Sequence, residues 1–251
     1  MATPTPERAA RHQAGPPSLP LRERQRLARR ERLLDAAEAL LRQSGGTEFS
    51  MVLLAERAEM SQTTPYALFG SKAAILYAVL NRALARARAA ERRAAAAEPL
   101  EQVLDMVDTL TRSFAAESAF YRPLWRALLG ADEPESRAVL LKQSAKLWRN
   151  ALEPAHARGL PDFIDADHLA RELMIHALGI TTLWVQNEIG DEPMRANYAL
   201  GTALLLLTVA HGAERERILK RMQRARKLLP VVFGDARLET VPRLPGAIGG
   251  K

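Results

Sequence analysis

The sequence predicts an all-α protein built from two unequal helical parts. No segment sustains the period-two alternation of a half-buried strand. Apolar residues instead recur at i, i+3, i+4 and i+7 through most of the 251 residues. Charge divides the chain: residues 1–95 hold 16 Arg/Lys against 9 Asp/Glu, whereas residues 96–251 hold 20 of each. The whole net charge of +7 therefore sits in the first part. This is the distribution of a polyanion-binding head on a neutral body, although a solvated basic surface with a disordered tail gives the same balance.

Residues 1–20 contain five prolines and are expected to be disordered. A first helix is predicted from about Leu21 to Gln43, because Leu33, Leu34, Ala37, Leu40 and Leu41 share one face. Gly45-Gly46 ends it, as glycine does past a helix C-terminus. Ser50 is placed to cap a short helix from Met51 to about Ala58. After a turn of a few residues, Ser61 is placed to cap the next, which runs through about Phe69. Pro65, near the fourth residue of that helix, gives up its first internal bond and predicts a distorted start. Gly70 stops it, and Ser71 caps a long fourth helix running toward Ala97.

From Pro99 the helical period continues. Leu100, Val103, Leu104, Val107, Leu110, Thr111 and Phe114 form one apolar stripe. Further helices are predicted around Ala119–Leu129, Glu133–Arg158, Ala166–Ile189, Glu192–Ala210 and Ala213–Leu229, separated by Gly, Pro or Asp. The last has Glu214 and Glu216 first and Arg224, Arg226 and Lys227 last, the order that suits a helix dipole. The expected organisation is a disordered tail (1–20), a small helical domain around a tight turn (21–71), a larger helical body (72–229) and a loose end (230–251).

Composition excludes several functions. The chain has no cysteine, hence no disulfide, thiolate metal site or cysteine nucleophile. The apolar run near Ala203 to Ala210 is too short to span a bilayer, and Met1 to Pro20 lacks the apolar core of a signal peptide, so a cytoplasmic location and no membrane partner are expected. There is no glycine-rich phosphate loop and no nucleophile elbow, and the five histidines (His12, His156, His168, His176, His211) are dispersed. No enzyme, cofactor or metal site is expected.

The stretch from Leu33 to Leu76 holds two short helices and a tight turn between longer helices, a device for entering the DNA major groove. With Ser61 as cap, Gln62, Thr63 and Thr64 fall in the first turn of the second helix, where side chains approach base edges. Gln pairs with adenine, and Thr bonds a base or rests its methyl on thymine. Tyr66 offers a hydroxyl and Lys72 a charge to phosphates, which position the protein without reading sequence. Ser50 presents a hydroxyl and free amides to another phosphate. Arg22, Arg24, Arg26, Arg29 and Arg30 add phosphate or minor-groove contacts. The bland reading is that the serines are only caps and that Tyr66 and Phe69 are core.

The order of these residues resembles the N-terminal domain of the TetR family of bacterial transcriptional repressors. The resemblance rests on Leu33-Leu34-Asp35-Ala36-Ala37, Gly45, the cap Ser50, Leu54-Ala55, Ala58-Glu59-Met60-Ser61 and Tyr66-Ala67-Leu68-Phe69-Gly70-Ser71-Lys72. Two positions depart from the family pattern. Glu59 stands where Gly is common, so this turn residue either adopts an ordinary conformation or bears the cost of a left-handed one. Leu68 replaces a polar residue or His.

The resemblance implies that the second part binds a small molecule and forms a homodimer through its last long helices, here 166–189 and 192–210. The residues add a burial argument. Helix 166–189 is apolar on one side through Leu169, Leu173, Ile180 and Trp184 and on another through Met174, Leu178 and Val185, so a dimer supplies the second cover. Two-fold symmetry matches a palindromic operator in double-stranded DNA. Candidate ligand residues are Met106, Phe114, Trp125, Trp148, Met174, His176 and Trp184, and the ligand is expected to be apolar. Aromatics at helical spacing are also plain core. The alternative function is a helical architectural DNA-binding or protein-interaction protein without effector, with Lys220, Arg221, Arg224, Arg226 and Lys227 as a second basic patch.

Overall fold

The computed structural model describes residues 20–91 and 98–229, so the expectations for the two chain ends fall outside the described residues. Among these residues it contains ten helices and no strand: α1 (Leu21–Ser44), α2 (Met51–Arg57), α3 (Thr64–Phe69), α4 (Lys72–Glu91), α5 (Pro99–Ala116), α6 (Ser118–Leu129), α7 (Pro134–Ala157), α8 (Ala166–Val185), α9 (Asp191–Leu206) and α10 (Gly212–Arg226). The all-α class holds.

The stripe read along α1 is its buried face: Leu33, Ala37 and Leu41 are almost wholly covered, against Leu54, Ile75, Val79 and Leu80 of α2 and α4 in one core. Gly45 ends α1 in the left-handed conformation, φ 63°, and its N–H donates to the Leu41 carbonyl. In the body, the α5 stripe is buried through Leu100, Val103, Leu104, Val107, Thr111 and Phe114. Buried aromatics pack there in a row. Phe114 lies parallel to Trp184 at 5.8 Å and 4.8 Å from Tyr121, whose other neighbour is Phe120 at 5.0 Å.

Helix α8 ends about four residues before the end expected from the sequence. Asn187 takes φ 62°, its N–H donates to Trp184 O, and Glu188 N–H donates to Leu183 O. These are the two bonds of a Schellman ending, whose left-handed position Asn takes more readily than most residues other than glycine. Two arginines of α6 cover the same terminus, Arg122 donating to Trp184 O and Arg126 to Val185 O. Cations there complement the helix dipole.

Charge joins head to body. Glu38 of α1, 4% exposed, accepts from Arg42, from Arg82 and from Arg86. Arg42 also pairs with Glu117, ahead of α6, at 2.9 Å and lies 4.4 Å over the Phe120 ring. Desolvation pushes the Glu38 carboxyl up, and the bonds from Arg42 and Arg82 more than reverse this, leaving its pKa below the usual value. At the far end of the body, Glu214 accepts from Leu100 N–H, Arg217 pairs with Glu101 and Arg221 with Asp105, so part of the late basic cluster docks α10 on α5.

Candidate nucleic-acid interface and effector cavity

The α2–α3 turn joins the two short helices of the head. Glu59 has φ 54°, its N–H donates to Glu56 O, and Met60 N–H donates to Ala55 O. This is again a Schellman ending, with Glu59 in the left-handed position that glycine would occupy without strain. Met60, the residue beyond, packs on the core. Of the two conformations open to Glu59, the strained one is found.

Helix α2 is capped as expected: Ser50 Oγ accepts from Leu53 N–H at 3.0 Å. Ser50 is exposed, and its hydroxyl proton remains free to donate outward. Ser61 is not the cap of α3. That helix starts at Thr64, and Ser61 Oγ lies 2.7 Å from Thr64 Oγ1 and 3.2 Å from Thr63 Oγ1. Gln62 and Thr63 therefore stand in the turn ahead of the helix rather than in its first turn. The later start also disposes of the expected distortion. Pro65 sits in the first turn, where its missing N–H has no partner to lose, and it is buried.

Ser61, Gln62, Thr63 and Tyr66 are exposed together, with Tyr66 54% accessible, while Thr64 is half-buried. Phe69, three residues from Tyr66, packs inward. Lys72 opens α4, where Ser71 Oγ caps Ala74 N–H at 3.0 Å, and its ammonium lies 4.7 Å over the Phe49 ring. The unit thus presents hydroxyls, an amide and a cation on a surface held from behind by Leu54, Ala55, Ala58 and Pro65.

Arg30 departs from the reading of the α1 arginines. Its guanidinium donates to the Leu68 carbonyl of α3 and lies 3.9 Å from the Phe69 ring centroid, and burial lowers its pKa. It pins α3 to α1 rather than reaching for a phosphate. Arg22, Arg24, Arg26 and Arg29 are exposed. The signal for Arg30 is its spacing from Leu33, Leu34 and Ala37, which turns it toward the covered side of α1.

The body contains a narrow cavity of about 40 Å³ between α4, α5, α6, α7, α8 and α9. Phe114, Trp125, Trp148 and Met174 line it. Met106, Trp184 and His176 do not. Met106 is core, and Trp184 lies behind Phe114 with its indole N–H on Asp191 at 2.7 Å. His176 faces α9 instead. A Cβ on Gly201 would stand 2.0 Å from its ring, which lies edge-on to Tyr198 at 6.4 Å, and burial lowers its pKa. The cavity wall also holds Ser144, Thr181 and Tyr198, which periodicity alone does not single out. Burial raises the Tyr198 hydroxyl to about 12, against the opposing bond from Thr181, so it stays protonated.

The second side assigned to helix 166–189 is covered from within the chain: Val185 is buried, and Met174 and Leu178 face the cavity. The uncovered apolar surface lies elsewhere, at Ile175 (48% exposed) with Gly179 and Thr182 on α8, and at Leu204 (52% exposed) with Thr208 just past α9. These positions fall at helical spacing on two packed helices.

A helix-turn-helix head carried on a helical body with an apolar cavity defines the class of helix-turn-helix regulators. Comparison with known proteins narrows it. Residues 33–79 match the family described as bacterial regulatory proteins, tetR family. The chain is 30% identical over 171 residues to the HTH-type transcriptional repressor KstR of Mycobacterium tuberculosis, covering 67% of this chain and 73% of that protein. Against KstR of Mycolicibacterium smegmatis it is 30% identical over 182 residues, 72% of this chain and 88% of the relative. Among solved structures it is similar to Thermus thermophilus FadR, a TetR family transcriptional repressor in complex with lauroyl-CoA. That match has a TM-score of 0.52 and 20% identity, and covers 88% of this chain and all of that one. The chain belongs to the TetR family of bacterial regulatory proteins.

Proposed function

We propose that this protein is a homodimeric transcriptional repressor that binds a palindromic operator and is released from it by a small, largely apolar effector in the cytoplasm. The observation that carries the DNA step is the joint exposure of Ser61, Gln62, Thr63 and Tyr66 on a unit whose other side is locked in the core. Gln62 and Thr63, at the turn before α3, read base edges. Ser50, Ser61, Tyr66 and Lys72 hold the backbone, and Thr64 supports them through Ser61. The exposed apolar face of α8 and α9 supports the dimer, since a second copy covers Ile175 and Leu204 by forming a four-helix bundle. The apolar cavity supports the effector step. The relatives named as repressors give the direction of control. Release then follows from population shift, the ligand favouring a dimer whose heads no longer match the half-site spacing.

Selection of bound duplexes from a random pool, at near-physiological salt, tests the DNA step. An enriched palindrome is the expected result. Salt-sensitive binding without enrichment replaces this reading with the architectural one. Once a site is known, Tyr66→Phe and Lys72→Ala are expected to weaken all sequences alike, whereas Gln62→Ala and Thr63→Ala change preference. Uniform loss from all four overturns this division of roles.

A further inference from the structure

Where α7 passes the head, an open cleft of about 440 Å³ lies between α1, α3, α4 and α7. It shares no lining residue with the narrow cavity of the body. Small-molecule sites commonly measure about 300–1,000 Å³, and the cleft falls within that range. Its apolar surface comes from Leu34, Phe69, Tyr77 and Ala78 on one side and from Val139 of α7, 50% exposed, on the other.

The charges on this wall are two arginines and one glutamate, and the two arginines are not equivalent. Arg82 is neutralised, since it pairs with Glu31 at 3.1 Å, with Asp35 at 2.7 Å and with Glu38. Glu31, the carboxylate of the wall, is thereby engaged. The Tyr77 hydroxyl donates to Leu128 O. Asn81 Oδ1 and Arg82 Nε are unpaired but sealed from solvent, and Ser136 and Gln143 add neutral polar groups.

Arg30 differs. Its guanidinium donates to Leu68 O and rests over the Phe69 ring at 3.9 Å. Both of these residues line the cleft beside Arg30, which is itself partly exposed, so the cation lies at the wall rather than behind it. Among the described residues no carboxylate comes within pairing distance of it, and most of the five guanidinium N–H donors have no acceptor. Burial lowers its pKa and Arg26 adds to this, with Glu31 opposing. The charge is thus partly desolvated without a paired counter-ion.

We propose that this cleft is a small-molecule site, separate from the cavity of the body, that takes a monocarboxylate with an apolar aromatic body. The carboxylate pairs with the Arg30 fork, whose planar geometry it matches through two parallel bonds. The apolar body lies against Tyr77, Ala78 and Val139. An ammonium meets Arg30 with like charge. An uncharged amide keeps the apolar contact but leaves the cation without a counter-ion. An occupant reaching from Phe69 of α3 to Val139 of α7 bridges the head and the body.

Calorimetric titration of the full-length protein with 2-naphthoate, 2-naphthamide and 2-naphthylmethylamine tests the assignment. The carboxylate is expected to bind about fivefold or more tighter than the amide, as a charge-assisted pair at a partly exposed site should, and the ammonium weakest. Arg30→Gln is expected to bring naphthoate down to the level of the amide. Arg22→Gln, at an exposed arginine of the same helix, keeps the preference. Val139→Trp fills the cleft from an exposed position and is expected to weaken carboxylate and amide alike. Should Arg30→Gln disorder the head, whose α3 it holds, Val139→Trp still places the bound naphthoate.

Naphthoate bound no tighter than the amide overturns the carboxylate class. A preference that survives Arg30→Gln, or binding that survives Val139→Trp, puts the ligand elsewhere and overturns the cleft as its site. Absence of naphthoate binding overturns the proposal outright. The duplex selection judges the DNA step apart from all of these.

Discussion

The head and the body of this protein place their candidate chemistry in opposite ways. The head displays it: Gln62, Thr63 and Tyr66 stand in solvent on a unit of two short helices whose inner side is core. The body conceals it in a cavity walled by six helices. The head's surface is set by residues a few positions apart in sequence, so a turn and two caps fix it. The cavity is set by side chains brought together from Leu84 to Tyr198, and any of six helices can move its wall. A local device tolerates little change in residue type, whereas a packed cavity can be rebuilt by volume-conserving exchanges.

The contrast can be broken most severely at the uncovered face of the body. Leu204→Glu places a charge in the proposed two-fold contact without touching the cavity or the α2–α3 unit. Operator affinity is expected to fall about a hundredfold or more as binding through two linked heads becomes binding through one. Sedimentation should show the monomer, with an unchanged helical spectrum. A dimer that persists with full operator affinity removes this face from the interface.

The junction of the two regions comes next. Glu38→Gln leaves Arg42, Arg82 and Arg86 without their shared carboxylate. Stability is expected to drop by about 2 kcal/mol, less than for a fully buried pair because Arg42 and Arg86 reach solvent. The folded carboxyl has the lower pKa, so its contribution is present above the unfolded value of about 4.3 and is lost as pH falls through the folded one. Urea unfolding between pH 3 and 7 should therefore show a shallower acid decline in the variant.

Gly201→Ala probes how closely α8 and α9 approach. The new methyl meets the His176 ring, and the expected net loss is about 1 kcal/mol despite the better helix propensity of alanine. In a His176→Ala background the sign should reverse, so that Gly201→Ala then raises the thermal unfolding midpoint. Glu59→Gly is the smallest effect. It relieves a left-handed residue at the price of a looser unfolded chain, with an expected gain of about 0.5 kcal/mol and operator preference unchanged.

The same contrast explains what is legible in the sequence. Ser50, Gly45, Gly70 and Ser71 announce their caps and stops because capping chemistry is local. The start of α3 is harder to read because Ser61 has the chemistry of a cap, and only the three-hydroxyl cluster and the fit of Pro65 shift the helix to Thr64. Spacing from Leu33, Leu34 and Ala37 sets Arg30 apart from its exposed neighbours, but its role shows only with the Phe69 ring and the Leu68 carbonyl beneath it. In the body, Phe114, Trp125, Trp148 and Met174 share a wall, but nothing in periodicity separates them from Met106 or Trp184, which are equally apolar and buried. The outward face of α8 is hidden for a related reason. Ile175, Gly179 and Thr182 make a weaker apolar signal than Met174 and Leu178, which turn into the cavity.

The contacts that run from Phe114 on the cavity wall through Tyr121 and Phe120 to Arg42 and Glu38 of α1 have a thermodynamic consequence. Whatever a ligand does to operator affinity through this path, operator DNA does to ligand affinity by the same factor, since the two bindings close one cycle. Under the proposed function, the cavity of the DNA-bound dimer is then a different receptor from that of the free one. A ligand ranked by its affinity for the free protein alone is ranked on only half of that cycle.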